Sequence, residues 1–361
     1  MARHKKQTGS SSTPAANSGL KILVTGANGF VGKNLIEQLL KDGHEVFALV
    51  REGSVAPSGV TQLTGDLLKP SSLPKLRDID RAFFLVHGLK TDKKAFEYNE
   101  SMLAVNFINW IRPTGAAITY LGGLGEEDLS LSPHLRSRHL TGAILGSSGL
   151  SMLEFRASIV LGEGSLSFEM IKAIVERLPF IPEMKLLNQP CQPLSLSDLM
   201  KYLTSTISRE SKGHEVFEIG GPDVVSYGEL LEMYAEIKGL RRMRVKVPDV
   251  ETKVILKALD YSIPEHKEAG KKLAESLIHP TVVKSLKARE EFPEIVPQSA
   301  KDAMKTAIKD SKTTYSPLWE KDFLRELLSD RILTQSGLLS PELMRNLERV
   351  GKLRDMFSRK H

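Results

Sequence analysis

The sequence has a single cysteine, Cys191, among its 361 residues. One cysteine cannot form a disulfide within the chain, so packing must hold the fold, as is usual in a reducing compartment. Long apolar runs are also missing: none approaches the roughly 18 consecutive apolar residues of a membrane-spanning helix, and no integral membrane segment is predicted. The nine histidines lack the spacing of metal ligands, so no metal site is predicted. The expected location is the cytoplasm.

Acidic residues are scarce at both ends of the chain, where the net charge of +6 is concentrated. Residues 1–20 carry three basic side chains and no acid, and residues 331–361 carry seven basic against three acidic side chains. The two ends therefore sum to +7 and the rest of the chain to −1. This distribution does not support a basic groove across the folded body, and no nucleic-acid partner is predicted. Residues 1–19 are basic and rich in serine, proline and alanine, which predicts a disordered extension.

The first ordered part of the chain has the pattern of a strand, a helix and a second strand. Lys21–Thr25 form a near-continuous apolar run, typical of a strand buried on both faces. Apolar residues recur at helical spacing over 31–40, and Asp42-Gly43 predicts the end of that helix. A second apolar run follows at Val46–Val50. Such a βαβ unit requires a parallel sheet because its crossover connection is right-handed.

The same alternation continues along the chain and predicts an α/β fold with a doubly wound parallel sheet. We expect a Rossmann-type dinucleotide-binding domain at residues 20–165. Residues 166–310 are predicted to form a smaller mixed α/β lobe for the substrate, partly interleaved with the Rossmann core. Residues 311–361 are predicted to be a helical C-terminal extension, with apolar residues at helical spacing over 324–333 and 343–353.

The first predicted strand ends in the loop Thr25-Gly26-Ala27-Asn28-Gly29-Phe30-Val31-Gly32, which has the spacing of a dinucleotide-binding loop. The first glycine permits a tight turn, the second lets the backbone approach a pyrophosphate, and the third lets the helix pack closely on the sheet. The helix that follows offers unpaired N–H groups to the phosphates. A purely structural glycine turn is the alternative. The loop residues predicted to bind the cofactor are Thr25, Gly26, Asn28, Gly29, Phe30, Val31 and Gly32.

Arg51 ends the second predicted strand, at the place that faces the adenosine ribose in Rossmann-type domains. A carboxylate there would bind the 2′-hydroxyl of NAD, whereas a guanidinium matches the 2′-phosphate of NADP. The sequence therefore favours NADP(H), with NAD(H) as an alternative if Arg51 is only a solvated side chain. Asp66 and Leu67, after the third predicted strand, are expected at the adenine ring, although they would also suit an ordinary turn. His87, which follows the fourth predicted strand, is expected beside the cofactor.

Beyond the glycine loop, several segments resemble the short-chain dehydrogenase/reductase superfamily. More narrowly, they resemble its atypical extended members of the NAD(P)H-binding, NAD-dependent epimerase/dehydratase-like type. The resemblance covers about residues 20–245 and implies an NAD(P)-binding Rossmann fold. It depends on the segments Gly65-Asp66, Tyr120–Gly125, Leu131–Arg138, Glu154–Ala157, Gly164–Glu169 and Phe217–Asp223.

The residues that carry catalysis in typical members of that superfamily are replaced in this chain. The resemblance implies a serine after the fifth strand and a Tyr-x-x-x-Lys pair on the next helix. This chain instead has Gly122-Gly123 and His134-x-x-x-Arg138. The replacement argues against the superfamily's usual alcohol/ketone chemistry.

Three residues are candidates for catalysis in place of the missing set. Imidazole is a workable general acid near neutral pH, so His134 could replace the tyrosine. It would equally suit the first turn of a helix that Ser132-Pro133 begins. Arg138 could hold ribose hydroxyls or a phosphate, but as a permanent cation it cannot relay a proton. Tyr120, near the carboxyl end of the fifth predicted strand, is the third candidate.

These features predict an NAD(P)(H)-binding protein that is an NADP(H)-dependent oxidoreductase or epimerase/dehydratase-like enzyme acting on a small organic substrate. The alternative is a non-catalytic protein that senses NADP(H) or serves as a scaffold, because the usual catalytic set is incomplete. The basic helices predicted at the C-terminus could contact a protein partner or an anionic surface, or they could dock on the chain itself.

Overall fold

The computed structural model describes residues 19–87, 96–125, 132–178, 180–209, 211, 213–246, 277 and 279–315. The strands in these residues are β1 Lys21–Thr25, β2 Glu45–Val50, β3 Thr61–Thr64, β4 Arg81–Phe84, β5 Ala117–Gly123, β6 Met152–Ala157, β7 Val160–Leu161, β8 Phe180–Glu183, β9 Pro190–Cys191, β10 Leu194–Ser195, β11 His214–Ile219, β12 Val225–Ser226 and β13 Met243–Lys246. The helices are α1 Phe30–Lys41, α2 Phe96–Ile111, α3 Pro133–Gly146, α4 Leu166–Arg177, α5 Leu196–Ser205, α6 Tyr227–Ile237, α7 Lys287–Glu291 and α8 Ala300–Asp310.

Seven parallel strands form the central sheet, in the order β3-β2-β1-β4-β5-β6-β11. The chain extends the sheet from β1 to β3 in one direction and then crosses back to β4, so the direction of winding reverses between β1 and β4. In doubly wound sheets the ligand binds outside the carboxyl ends of the strands at this reversal. The doubly wound parallel sheet predicted from the sequence is therefore confirmed.

The first βαβ unit follows directly from the apolar pattern of the sequence. Ile22–Val24 are fully buried because helices cover both faces of the sheet around β1. The helix α1 buries Leu35 and Leu39 against the sheet and keeps its charged residues outside. Asp42 is the C-cap residue of α1, so the predicted end of this helix is confirmed.

Helices cover both faces of the central sheet. On one face, α1 and α5 pack on an apolar cluster to which β1, β6 and β11 contribute. The rings of Phe155, Phe217 and Phe292 in this cluster have centroids 5.2–5.9 Å apart. On the other face, α2 and α3 cover a second cluster, in which the ring centroids of Phe84 and Phe107 are 4.9 Å apart. The sheet is thus the middle layer of three.

A smaller lobe has its own apolar core, with Phe168 of α4, Tyr234 of α6 and Met304 of α8 among its buried side chains. Within the described residues this lobe also contains three two-stranded sheets, formed by β7 with β10, β9 with β12, and β8 with β13. The chain crosses between the two parts, because α5 and β11 follow residue 165 and yet belong to the central sheet and its helical layers.

The described part of the chain ends at residues 311–315, which were predicted as the start of a helical extension. These five residues are not helical, because α8 ends at Asp310 and Ser311 is extended. They lie along α4, where the hydroxyl of Tyr315 donates a hydrogen bond to Glu169. Residues 1–18 of the predicted N-terminal extension and the apolar stripes at 324–333 and 343–353 lie outside the described residues. Among the helices described, none is long and apolar enough to cross a membrane.

Candidate cofactor and active site

The glycine loop lies at the carboxyl edge of the sheet, between β1 and the segment that follows β4. Gly26 has a φ of +72°, and a Cβ atom on it would lie 2.5 Å from the carbonyl oxygen of Leu85. A Cβ atom on Gly32 would lie 2.3 Å from the carbonyl oxygen of Gly26. Since backbone atoms cannot move aside as a flexible side chain can, the packing of this loop requires glycine at both positions.

The amino end of α1 is open to an anion. Gly29 is the N-cap residue, its backbone is extended, and no side chain caps the helix. The first turn of α1 contains no acidic residue, so no carboxylate there opposes the partial positive charge of the helix end. Unpaired N–H groups at a helix start are good phosphate ligands. The glycine loop and this helix end therefore fit the pyrophosphate of a dinucleotide.

The other loop residues predicted to bind the cofactor also have structural contacts. Thr25 is fully buried, and its hydroxyl donates a hydrogen bond to a backbone carbonyl of β4. The exposed Asn28 donates from its amide to a backbone carbonyl in the loop after β2. The ring of Phe30 borders the segment before α4, since its Cζ atom lies 3.3 Å from the Cβ position of Gly162. Val31 packs on the apolar cluster beneath α1.

Arg51, Asp66 and Leu67 follow β2 and β3. Arg51 is exposed, and among the residues that the structure describes it has no ion-pair partner. The carboxylate of Asp66 accepts a hydrogen bond of 2.9 Å from the backbone N–H of Leu68. Leu67 is buried, and its carbonyl oxygen accepts a hydrogen bond of 2.7 Å from the amide of Asn106 on α2. Asp66 and Leu67 thus serve the turn after β3, whereas the guanidinium of Arg51 faces solvent.

His87 and His134 form a hydrogen-bonded pair near the glycine loop. Their Nε2 atoms are 2.8 Å apart, although 47 positions separate them in the sequence. His87 follows Leu85 by two residues, and the carbonyl of Leu85 is the group against which the turn at Gly26 packs. His134 lies in the first turn of α3, which Ser132 caps through its hydroxyl. His134 therefore lies at the start of a helix and also near the glycine loop.

Glu100 completes this group, although it was not among the residues predicted from the sequence. Its Oε2 atom lies 3.8 Å from Nδ1 of His87, and the side chain is only 2% exposed. A signal was available, because Glu100 lies on α2 at helical spacing from the buried Leu103, Ala104 and Phe107. A carboxylate on an apolar stripe needs a polar partner. In the described part of the chain, no cluster of His, Cys, Asp and Glu is arranged to hold a metal ion.

The guanidinium of Arg138 is buried and bound to the backbone. It is 7% exposed and donates hydrogen bonds to the carbonyl oxygens of Leu121 and Val86. Its Cζ atom lies 4.8 Å from the ring centroid of Tyr120. Arg138 therefore ties α3 to the backbone at the carboxyl ends of β4 and β5. The guanidinium that was predicted to hold ribose hydroxyls or a phosphate thus binds backbone carbonyl groups of the protein.

Tyr120 does not lie at the end of its strand as the sequence indicated, because β5 continues three residues further, to Gly123. Its side chain is fully buried, and its hydroxyl donates a hydrogen bond of 2.9 Å to the backbone carbonyl of Arg138. Burial raises the pKa of Tyr120 above its ordinary value, more than the nearby Arg138 cation lowers it. Tyr120 is a packing residue in this arrangement and has no exposed surface for a substrate.

A second buried carboxylate, Glu154 of β6, lies beneath α3. Its Oε1 atom accepts a hydrogen bond of 2.7 Å from Nε of Arg156, and its Oε2 atom lies 2.8 Å from Nε2 of His214. Burial alone would raise the pKa of Glu154, but the hydrogen bonds and charges of His214 and Arg156 outweigh it and hold the pKa below its ordinary value. A Cβ atom on Gly122 would lie 3.3 Å from Oε1. The carboxylate thus borders the place expected for the superfamily's serine.

Comparison with known proteins gives a partial match to one family model and a likeness to several reductases. The model of the NAD dependent epimerase/dehydratase family matches residues 22–120. A ceramide reductase from Caulobacter vibrioides is 23% identical over 234 residues, which are 63% of this chain and 74% of that protein. The UDP-2-acetamido-2,6-beta-L-arabino-hexul-4-ose reductase of Pseudomonas aeruginosa is 32% identical over 155 residues, 40% of this chain and 37% of that protein. The second likeness thus spans well under half of either protein.

A solved structure shares the fold over most of the chain. MoeE5, in complex with UDP-glucuronic acid and NAD, superposes with a TM-score of 0.61 at 20% identity, covering 80% of this chain and 98% of that one. A likeness at this identity supports the fold alone. The parallel sheet, the glycine loop and the family match together support an NAD(P)-binding member of the Rossmann superfamily, and the likeness to the epimerase/dehydratase family model extends over residues 22–120.

Proposed function

We propose that this chain is an NADP(H)-dependent oxidoreductase that reduces a carbonyl group of a small organic substrate, in the cytoplasm. The observation that carries the cofactor preference is Arg51, an exposed guanidinium at the end of β2 without an acidic partner among the described residues. The observation that favours reduction is the likeness to two reductases. The substrate would lie between the carboxyl edge of the central sheet and the smaller lobe, beside the glycine loop.

Electrostatics near the ribose support the choice of NADP(H). The 2′-phosphate carries a charge that a guanidinium can bind through two parallel hydrogen bonds. The first turn of α1 has no acid that would repel this phosphate, and the exposed Lys33 on the same helix adds a second cation near Asn28. A carboxylate at the end of β2 would instead favour NAD(H).

When bound, the reduced nicotinamide would supply a hydride, so the chain has to supply a proton and a dry site. His134 is the proposed proton donor. Tyr120 is fully buried, and Arg138 is a permanent cation bound to backbone carbonyls. The ring of His134 is partly exposed and hydrogen-bonded to a second titratable ring, that of His87. An imidazole can release a proton near neutral pH, which a buried phenol or a guanidinium cannot do.

Calorimetric titration with NADPH and NADH tests the cofactor assignment. We expect NADPH to bind more tightly than NADH, and Arg51→Asp to weaken NADPH binding about 10- to 100-fold, the effect of losing a charge-assisted hydrogen bond. The affinity for NADH should change far less. Arg77→Asp is the matched control, because Arg77 is also exposed but precedes β4, at the amino ends of the strands. Equal loss of NADPH binding in both variants would contradict the role of Arg51.

A substrate panel tests the reaction. The reduction of each carbonyl compound should be followed by the loss of NADPH absorbance. The panel should include sphingolipid and nucleotide-sugar carbonyls because of the two reductase relatives. Steady consumption with one class of carbonyl compound supports an oxidoreductase. Tight NADPH binding without consumption across the panel would contradict it and favour a protein that senses the nucleotide.

A further inference from the structure

We propose that Glu100 and His87 position His134 as the proton donor. The three titratable side chains form a row that leads from buried α2 to the proposed substrate cleft between the central sheet and the smaller lobe. This inference rests on the proposed function, since it assigns partners to the donor of that reaction. The three residues come from α2, from the segment after β4 and from the first turn of α3. The fold therefore assembles the group from segments that are distant in sequence.

The bond between the two rings fixes how many protons they can hold. It joins Nε2 of His87 to Nε2 of His134 at 2.8 Å. Such a bond contains one hydrogen, so one ring donates from Nε2 and the other accepts there. In a neutral pair, the accepting ring carries its own hydrogen on Nδ1, and the donating ring has an unprotonated Nδ1. The pair can take up one further proton and keep the bond, whereas two extra protons would oppose two cations at contact distance.

Glu100 decides which ring accepts. Its Oε2 atom lies 3.8 Å from Nδ1 of His87, and the carboxylate is almost fully buried. The distance is too long for a hydrogen bond, so the interaction is electrostatic, and a buried negative charge there favours a hydrogen on the nitrogen that faces it. His87 then accepts at Nε2, so His134 donates from Nε2. Nδ1 of His134 is consequently the atom that takes up and releases the extra proton.

The proton balance of the step is simple. As the carbonyl carbon of the substrate receives the hydride, the carbonyl π electrons move to oxygen, and Nδ1 of His134 gives that oxygen its proton. The products are an alcohol, the oxidised nucleotide and a neutral imidazole pair. One proton from solvent then restores the protonated pair before the next turnover. His134 is the residue that touches the substrate, and His87 and Glu100 act through it.

The test compares Glu100→Gln with Glu97→Gln. Both changes remove one carboxylate charge from α2, but Glu97 is partly exposed and pairs with Arg136 rather than with His87. Nitrogen-15 NMR of ring-labelled histidines in the protein without nucleotide reports which ring nitrogens carry hydrogen. Steady-state kinetics, with a substrate found in the panel, separates kcat from KM. Calorimetry with NADPH shows whether the cofactor site is intact.

We expect Glu100→Gln to change the ring-nitrogen signals of His87 and His134 at neutral pH and to lower kcat about tenfold, with KM and NADPH affinity unchanged. Glu97→Gln should leave all of these as in the natural chain. His134→Gln should lower kcat about 100-fold, because it removes the donor itself. If Glu100→Gln does not fold, His87→Gln replaces it, with the same expected loss in kcat and a changed signal for His134.

Failure of this inference is distinguishable from failure of the proposed function. Unchanged ring-nitrogen signals in Glu100→Gln would contradict the coupling of Glu100 to His87 and His134, whether or not a substrate is known. Unchanged kcat in an enzyme that consumes NADPH overturns it while the proposed function stands. Changed ring signals in a protein that consumes no NADPH would keep the coupling between the residues but contradict the proton-donor role together with the proposed function.

Discussion

The two sides of the proposed cleft are built in different ways. On the α1 side, the backbone of the glycine loop and the open helix end form the site, and two glycines are required by contacts as short as 2.3 Å. On the α3 side, the site consists of side chains that three different segments bring together, with His87 and His134 as its centre. A backbone site is preserved by a short local pattern, whereas a side-chain site can change its residues while the fold persists. This difference explains why the loop keeps the superfamily's spacing and the catalytic set does not.

The largest expected effect tests the backbone side. Gly32→Val would place a Cβ atom 2.3 Å from the carbonyl oxygen of Gly26, so α1 has to move away from the loop. We expect a loss of about 3 kcal/mol or more in the free energy of unfolding and no measurable NADPH binding. Urea denaturation and calorimetry measure the two effects.

Gly115→Ala is the control for this change. Gly115 has a φ of +71°, but an added Cβ atom would meet nothing within 4 Å. We expect a cost of about 1 kcal/mol from backbone strain and unchanged NADPH affinity. A Gly32→Val variant that binds NADPH normally would mean that the loop does not depend on close contact between helix and turn.

The next largest expected effect is the loss of stability on replacing Arg138, which lies on the α3 side of the proposed cleft. If its main role is to bind the carbonyls of Leu121 and Val86, Arg138→Met leaves both oxygens without this donor inside the protein. We expect about 2–3 kcal/mol of destabilisation with only a small change in NADPH affinity. Arg136→Met is the control on the same helix, since a largely exposed ion pair contributes about 0–1 kcal/mol. The opposite result, lost NADPH affinity at full stability, would assign Arg138 to the ribose or a phosphate.

The contrast between the backbone site and the side-chain site also explains which parts of the protein could be predicted from the sequence. The sheet, α1 and the loop were predictable because each depends on a periodic or local pattern, such as the apolar run Lys21–Thr25 followed by glycines at fixed spacing. The pair of His87 and His134 was predictable only as two separate candidates. Their contact depends on where the fold places the first turn of α3 relative to the segment after β4, which no local pattern specifies.

Two errors in the candidate site have physical causes. Tyr120 was placed near a strand end because the fifth strand was predicted to stop at Leu121, yet the two glycines that follow continue β5 and pair in register with Arg156 and Ala157. Glu100 was overlooked because one carboxylate hardly changes the apolar pattern of α2. A rule that every acid on a buried stripe has a polar partner would have identified it, and Glu154 as well.

The smallest expected effect is at Tyr120, a buried residue on the α3 side of the proposed cleft. Tyr120→Phe removes one hydrogen bond, to the backbone carbonyl of Arg138, and should cost about 1 kcal/mol in the free energy of unfolding. Because burial raises the pKa of this phenol above its ordinary value, we expect it to stay protonated around neutral pH, so kcat and its pH profile in that range should not change. Tyr202→Phe, on the opposite face, is the control, since the structure shows no hydrogen bond from the hydroxyl of Tyr202 to any described residue. If Tyr120→Phe instead lowered kcat more than tenfold at unchanged stability, proton transfer would depend on the buried phenol, and the cleft would retain more of the superfamily's chemistry than its histidine pair indicates.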